Sequence, residues 1–454
     1  MRPIGLTLTL LTTATLGAYV GGCGKNDSAA SAVVDVDAAV DAAPVASDAA
    51  PIPVAPDGGA PEGGRTFFMG SSPFFATQSA FPDFRFDYLV DVDLLSLHVD
   101  DFFGVPWSQL EAGTALPSAW TAKWSKAAAG AATTGKPIFL TVSPLGDRKT
   151  LARAVSDDGA TSDRWAPADA AGCYLFASDP LATKHRDAYL KYLDYVIDLV
   201  KPTYLAPAAE INVVFTKCPA QKAAWLAWLG EVVRAVKASH PSLVVFPTVQ
   251  LEHLYGVADK LAECPGLTPT ACFEERLPEI AALPGDRLAF SVYPAAWGYL
   301  GQTLPSDTFA KVQAATSKRI WISETGWPAA RILSTYGTTP AGCGPELVPS
   351  SFASDANLGI WVDRLLREAD ARQFEAVVWW ESRDSLDGAV AETCPCQGTS
   401  DTCALASAFR SSPGGATAET LLRMFGNMGL VRNDGTARGA LATWNAYRTR
   451  ARVP

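Results

Sequence analysis

The chain has 454 residues, 48% hydrophobic and 19% charged, with a formal net charge of −10. Such a chain can bury a large core, and its length suits one large domain or two to three ordinary ones. The acidic balance leaves neither a nucleic-acid footprint nor a basic patch for an anionic membrane surface.

The chain begins with Arg2 ahead of a Thr- and Leu-rich apolar run, residues 4–20, which ends in Val20-Gly21-Gly22-Cys23. Small residues before a cysteine resemble the end of a bacterial lipoprotein signal peptide, so residues 1–23 read as a signal and Cys23 as the lipidated N-terminus. An ordinary cleaved signal and an uncleaved anchor are the alternatives, although the run is barely long enough to span a bilayer and is diluted by Thr and Gly. Residues 24–64 read as a tether. From 26 onward it is made of Ala, Pro, Asp, Gly and Val with seven acidic residues, no Lys or Arg and no apolar period. Its 39 residues from 26 to 64 reach roughly 130 Å when fully extended at about 3.3 Å each. The remaining 390 residues carry 35 Lys plus Arg and 40 Asp plus Glu, a net of −5.

From residue 65 onward, eight short apolar runs predict strands at 65–70, 93–98, 137–143, 203–210, 243–250, 287–293, 319–324 and 375–381. Helical spacing is clearest at 181–200, where Tyr189, Leu190, Leu193, Val196, Ile197 and Val200 recur at three and four, and at 220–238, with Trp225, Leu229, Val232 and Val236. Further helices are predicted at 117–130, 305–316, 355–371 and 437–450. Eight strands alternating with helices predict an α/β fold, a (β/α)8 barrel with long loops, over 65–454. No Gly-rich phosphate fingerprint follows the first run, which argues against a doubly wound nucleotide-binding sheet.

In such a barrel the residues that matter follow the strands. The strand ends offer Ser71, Ser72, His98, Asp100, Asp101, Ser143, Glu210, Asn212, Gln250, Glu252, His253, Tyr293, Glu324, Trp379, Trp380 and Glu381. Eight cysteines remain after Cys23, an even number that suits pairing in an exported protein. All fall in loops after strands, so disulfides would staple the functional face. Cys173 with Cys218 and Cys264 with Cys272 are the expected pairs, each lying within one loop or between neighbouring ones.

The stretch Arg319 to Pro328, R-I-W-I-S-E-T-G-W-P, is an apolar strand that ends in a carboxylate and a Gly-Pro turn. It delivers Glu324 to a strand tip. Glu210, in Y-L-A-P-A-A-E-I-N, ends the fourth run, and in a barrel the fourth and seventh strands face one central cleft. Two opposed carboxylates suit glycosidic cleavage: one protonates the departing oxygen and the other attacks the anomeric carbon. Trp327, Trp379 and Trp380 near the tips offer faces on which sugar rings stack.

With these residues the chain resembles the clan of retaining (β/α)8 glycoside hydrolases that carry Glu residues at the ends of strands four and seven. The S-E-T-G-W-P patch at 323–328 is similar to the nucleophile motif of the family 17 β-1,3-glucanases, and the layout is similar to the family 53 β-1,4-galactanases. The resemblance implies a retaining hydrolase of β-linked polysaccharide, acting endo, with Glu210 as acid/base and Glu324 as nucleophile. It also implies Tyr293 as hydrogen-bond donor to the nucleophile and Trp380 as the sugar platform. His98, Asp100, Asn212, Gln250, Trp327 and Glu381 complete the expected substrate contacts. One departure stands out: clan members place Asn before the acid/base to bind the sugar 2-hydroxyl, and this chain has Ala209. Asn212 is the candidate substitute, about 7 Å further along if the chain stays extended.

Ala209 keeps open a second reading, a carbohydrate-binding lipoprotein on a barrel that has lost its chemistry. A metal hydrolase is disfavoured, because the four His, at 98, 185, 240 and 253, form no H-x-H or H-E-x-x-H. A serine esterase lacks its G-x-S-x-G elbow. Trp225 and Trp228 read as core on an amphipathic helix, and His185 and His240 as surface residues. No cofactor and no metal are expected. The expected protein is an extracytoplasmic, membrane-anchored monomer with a polysaccharide or oligosaccharide substrate.

Overall fold

A computed structural model describes residues 63–453 apart from 160, 163–165, 257–263, 296–303, 334–345, 349–350, 389, 391–395, 397–398, 411–418 and 420–421. The signal with Cys23, nearly all of the tether, and Cys343 and Cys394 lie outside the described residues.

Nine strands form one parallel sheet: β1 Phe68–Ser71, β2 Leu94–Asp100, β3 Ile138–Val142, β4 Tyr204–Ala206, β5 Val244–Val245, β6 Thr248–Gln250, β7 Arg287–Val292, β8 Arg319–Thr325 and β9 Ala376–Trp379. Their spatial order is β5-β4-β3-β2-β1-β9-β8-β7-β6. The two ends of that order are halves of one chain segment, separated only by Phe246 and Pro247, so the sheet closes into a barrel. Proline has no N–H to give a ladder, which is why the fifth predicted strand is split. Hydrogen bonds carry the β4 side past the break, from Phe246 N to Leu205 O at 3.0 Å and from Thr248 N to Ala208 O at 3.1 Å.

The helices are α1 Ser118–Thr133, α2 Ala182–Val200, α3 Lys222–Ser239, α4 Pro269–Ala281, α5 Thr308–Ala315, α6 Asp355–Ala371, α7 Asp401–Arg410 and α8 Gly439–Arg448. Six of these match the predicted helices closely. Helix α4 escaped prediction because Pro278 interrupts its pattern, although Thr268 caps its start by accepting from Ala271 N. Between β1 and β2 the chain makes no α-helix, only the 3-10 turn Phe86–Tyr88. Phe86 lies where a Cβ on Gly130 would sit, so the missing side chain in α1 lets the turn dock in place of a helix.

Alternation along the strands sorts two cores. Leu94, Phe139, Tyr204, Ala206, Phe246, Ala289, Trp321, Ala376 and Val378 point inward and fill the barrel. Their neighbours, such as Leu95, Leu97, Leu140, Phe290, Ile322 and Val377, point outward against the helices. At the centre Trp321 lies against Phe139, Phe246 and Tyr204, with ring centroids 5.3, 5.0 and 4.5 Å away. Its Nε1 donates to Glu375 Oε2 at 2.8 Å, and Glu375 is paired with Arg287. The domain start is tied in by Arg65, which is buried, pairs with Asp93 at 2.7 Å and donates through Nε to Tyr447 O at 3.1 Å.

Both expected disulfides form, Cys173–Cys218 and Cys264–Cys272, with a third, Cys396–Cys403. The first joins the loop after β3 to the loop after β4. Trp225 and Trp228 are core residues as expected, whereas His185 is buried beside Tyr174 and Asp179 rather than at the surface. Its helix turns that face onto the short helix Trp107–Ala112.

Trp321→Ala empties the middle of the barrel and strips Glu375 of a donor, so it should lower unfolding free energy by about 3–5 kcal/mol in chemical denaturation.

Candidate active site

Simple alternation from Trp321 would place Ser323 inside the barrel and Glu324 outside with Ile322. A register shift corrects this: Ile322 pairs with Phe290 while Glu324 pairs with the next residue, Ser291. The extra residue in β8 turns the Glu324 side chain into the barrel mouth, as bulges beside functional sites do. Glu324 is 3% exposed. Tyr293, which continues the inward row Ala289, Ser291 of β7, donates its hydroxyl to Glu324 Oε1. Glu252 fixes that tyrosine by accepting from Tyr293 N at 2.7 Å.

His98, on the inward row of β2 with Leu94 and Ser96, places Nδ1 3.2 Å from Glu324 Oε2. Burial pushes His98 down to about 4, so its ring is neutral at neutral pH. His98 Nε2 is buried and has no hydrogen-bond partner among the described residues.

Glu210 stands beyond the end of β4, with φ of 48°. Its N–H donates to Thr248 Oγ1 at 2.9 Å. Oε1 accepts from Ser291 Oγ at 2.7 Å and Gln250 Nε2 at 3.3 Å, and Oε2 from Arg148 Nη2 at 3.4 Å. Arg148 in turn makes a two-pronged pair with Asp100 at 2.9 and 3.0 Å. Burial raises the Glu210 carboxyl against the pull of Arg148. Burial first, then the charge of Glu210, raises Glu324 well above the ordinary carboxylate range. Two carboxyls in one dry space therefore resist ionising together.

Trp380, the next inward position after Ala376 and Val378, stands with its ring centroid 5.1 Å from that of His98. A cavity of about 30 Å³ beside Trp380 is lined by Glu324, Trp380, Ser385, Phe74, Phe81, Phe102, Leu422, Phe425 and Gly426. That space holds about two waters and no sugar ring. Trp380 Nε1 and Gln250 Oε1 are, like His98 Nε2, buried without a hydrogen-bond partner among the described residues.

Thus Glu210, Glu324, His98, Gln250, Tyr293 and Trp380 converge. Other predicted contacts lie elsewhere. Asp100 is at the mouth, but its two oxygens are held by Arg148 instead of facing the cavity. Asn212 donates to Gln250 O and accepts from Gln250 N, both at 2.8 Å, so its amide serves the backbone and is not free to replace the missing asparagine. Trp327 donates to Phe352 O at 3.0 Å and packs on the Phe352 ring. Trp379 points outward and donates to Met428 O at 2.7 Å. Glu381 is fully buried, accepts from Ser385 N at 3.3 Å, and is raised well above the usual range by burial and by Asp384. Asp101 is buried beside the cluster and pushed up to about 7 by burial and by Asp100.

Two contributors were missed. Ser291 could have been found, since it lies two residues before Tyr293 on the same strand face. Arg148 gave no signal, because G-D-R-K after a strand reads as a solvated turn. Among the described residues, no group of three or more His, Cys, Asp or Glu is arranged to hold a metal ion.

No family model matches this sequence, and no curated protein matches it. Among solved structures, the chain is similar to GH5_18 from Streptomyces cattleya in complex with GlcNAc, at 14% identity over 86% of this chain and 83% of that one, with a TM-score of 0.48. It is similar to the GH53 catalytic domain of Ignisphaera aggregans, at 14% identity over 87% and 99%, with a TM-score of 0.44. A GH5_18 from Bifidobacterium longum subsp. infantis matches at 13% identity over 80% and 71%, with a TM-score of 0.46.

His98 supplies a pH test. Its folded pKa lies below the unfolded value near 6.5, so between those pH values the unfolded chain binds more protons. Its stabilisation is fully present above pH 6.5 and lost as pH falls toward 4, by about 3 kcal/mol in all. The His98→Asn variant should show a flatter decline in unfolding free energy over that range, measured by urea titration at each pH.

Proposed function

We propose that this chain is a retaining glycoside hydrolase that cleaves a β-linked polysaccharide of the β-glucan or β-galactan class, acting endo, without a cofactor. The observation that carries this reading is the pair of buried carboxyls, Glu210 and Glu324, brought together from the fourth and seventh staves of the barrel. Each is held by its own donors: Tyr293 for Glu324, and Ser291 and Gln250 for Glu210.

In the first step Glu324 attacks the anomeric carbon as the glycosidic C–O bond breaks, and the departing oxygen takes its proton from Glu210. Water then gives a proton to Glu210 and attacks the same carbon, releasing Glu324. Tyr293 favours the ionised nucleophile by donating to it, against the burial that raises the Glu324 carboxyl. His98 Nε2, Gln250 Oε1 and Trp380 Nε1 offer two acceptors and a donor to sugar hydroxyls, and the Trp380 face takes the apolar side of the ring. Substrate entry requires the aromatic cover of Phe74, Phe81, Phe102 and Phe425 to shift, because the cavity beneath it is smaller than a sugar. The N-terminal pattern supports a lipid-anchored, extracytoplasmic placement at Cys23, with the tether holding the monomeric barrel off the membrane.

The test is reducing-sugar release from β-1,3-glucan, β-1,4-galactan, mannan, xylan and cellulose by the purified protein. Glu324→Gln should abolish release, and Glu210→Gln should lower kcat by about 10²–10⁴-fold. Glycan binding without release, unchanged in Glu324→Gln, would instead make the protein a carbohydrate-binding barrel.

A further inference from the structure

The contact between Arg148 and Glu210 lies outside the roles that the proposed mechanism assigns. Arg148 cannot lose its proton, and at 1% exposure it has no solvent to screen it. Its guanidinium divides unequally. Asp100 takes the shorter, two-pronged pair at 2.9 and 3.0 Å, and Glu210 takes one longer contact at 3.4 Å from the same Nη2. Glu210 therefore meets a cation already largely neutralised by Asp100.

The backbone shows that this arrangement is imposed by the fold. Six non-glycine residues among those described have positive φ, and four of them, Asp100, Asp147, Arg148 and Glu210, belong to this cluster. L-residues adopt that conformation at an energetic cost, and such strain gathers at functional sites. The surroundings then lock the arrangement. Lys217 Nζ donates to Asp147 O at 2.9 Å, and the adjoining Cys218 is bonded to Cys173, so the loop bearing Arg148 is tied to the loop bearing Glu210.

We infer that Arg148, clamped by Asp100, is a positioning residue that biases Glu210 toward its ionised, base-ready form, and that this pair sets the upper pH limit of catalysis. The inference rests on the reading of Glu210 as the acid/base. The charged and titratable groups around Glu210 are Asp100 at the end of β2 with Asp101 just past it, Arg148 from the loop after β3, Lys217 after β4, and Glu324 from β8 with its partners His98 and Tyr293. Of these, Arg148 touches Glu210 directly and Asp100 alone is paired with Arg148 on both prongs, so the two act on Glu210 with opposite sign. Because the departing oxygen needs the Glu210 proton, kcat falls as pH rises through the Glu210 ionisation.

The experiment measures the pH profile of kcat on whichever glycan is cleaved, together with a 13C NMR titration of the Glu210 carboxyl in the full chain, assigned with Glu210→Gln. Arg148→Gln should move the alkaline limb and the Glu210 titration upward by about 1–3 units, and Asp100→Asn should move both downward. Arg148→Lys keeps the charge and should hold both near wild type. The neutral double variant Asp100→Asn with Arg148→Gln avoids an unpaired buried charge and should return the limb toward wild type. Variants that lose rate while limb and titration stay in place would overturn the inference and leave the glycosidase reading standing. Titration shifts of the expected sign in a protein that cleaves no glycan would uphold the electrostatic coupling and remove the catalytic reading.

Discussion

The mouth of this barrel is organised around one buried ion cluster, Asp100–Arg148–Glu210, all of it at most 3% exposed. Removing one member of such a cluster leaves an uncompensated charge, a loss of about 3–5 kcal/mol, so its parts stand or fall together. It is assembled from three different strand ends and held on left-handed backbone at each member. An energetic cost of about 1–3 kcal/mol per strained residue persists only where surrounding structure fixes the conformation. The stiff barrel below, filled by Trp321 and its ring neighbours, supplies that surrounding structure.

The loops above the barrel extend the constraint. Closing the chain between Cys173 and Cys218 limits the unfolded state, and by the chain-entropy model a loop of this size contributes about 4 kcal/mol. More to the point for chemistry, it fixes the distance between two loops that carry opposite charges. Glu324 is held by different means: a bulge aims it, Tyr293 and His98 receive it, and Glu252 steadies the backbone of Tyr293. The two carboxyls thus belong to separate hydrogen-bond systems.

Most of the fold was legible in the residues. Strands that are apolar on both faces announced a buried parallel sheet, and helices such as α2 and α6 kept a strict apolar period. Pro247 and Pro278 blurred β5–β6 and α4, because proline disrupts the very patterns by which strands and helices are recognised. At the site, residues on the inward rows of strands, His98, Tyr293 and Trp380, were readable because a row needs only a period of two, whereas Glu324 enters the mouth through the register shift in β8. Trp327, Trp379 and Glu381 misled for the complementary reason: proximity in sequence to a strand tip does not say which way a side chain turns. Arg148 was illegible, since nothing local distinguishes a buried arginine in a charged turn from a solvated one. Its partners are 48 and 62 residues away.

The missing asparagine before Glu210 follows from the same geometry. An extended chain through Ala209, Glu210 and Ile211 would project alternate side chains into the cleft, and an asparagine there could reach a sugar hydroxyl. Here β4 ends at Ala206, Glu210 turns the chain with φ of 48°, and Asn212 pairs with the backbone of Gln250. Position 209 is 2% exposed, so a polar side chain there would be desolvated, a cost that alanine does not carry. On β2, β6 and just past β9, His98, Gln250 and Trp380 leave buried polar atoms without partners among the described residues. Such atoms cost about 1–3 kcal/mol each while unpaired, a cost that a bound sugar would remove and a featureless apolar ligand would not. The same turn that leaves Ala209 buried brings Glu210 onto Arg148, so the packing of residue 209 and the charge environment of Glu210 have a single origin in the backbone.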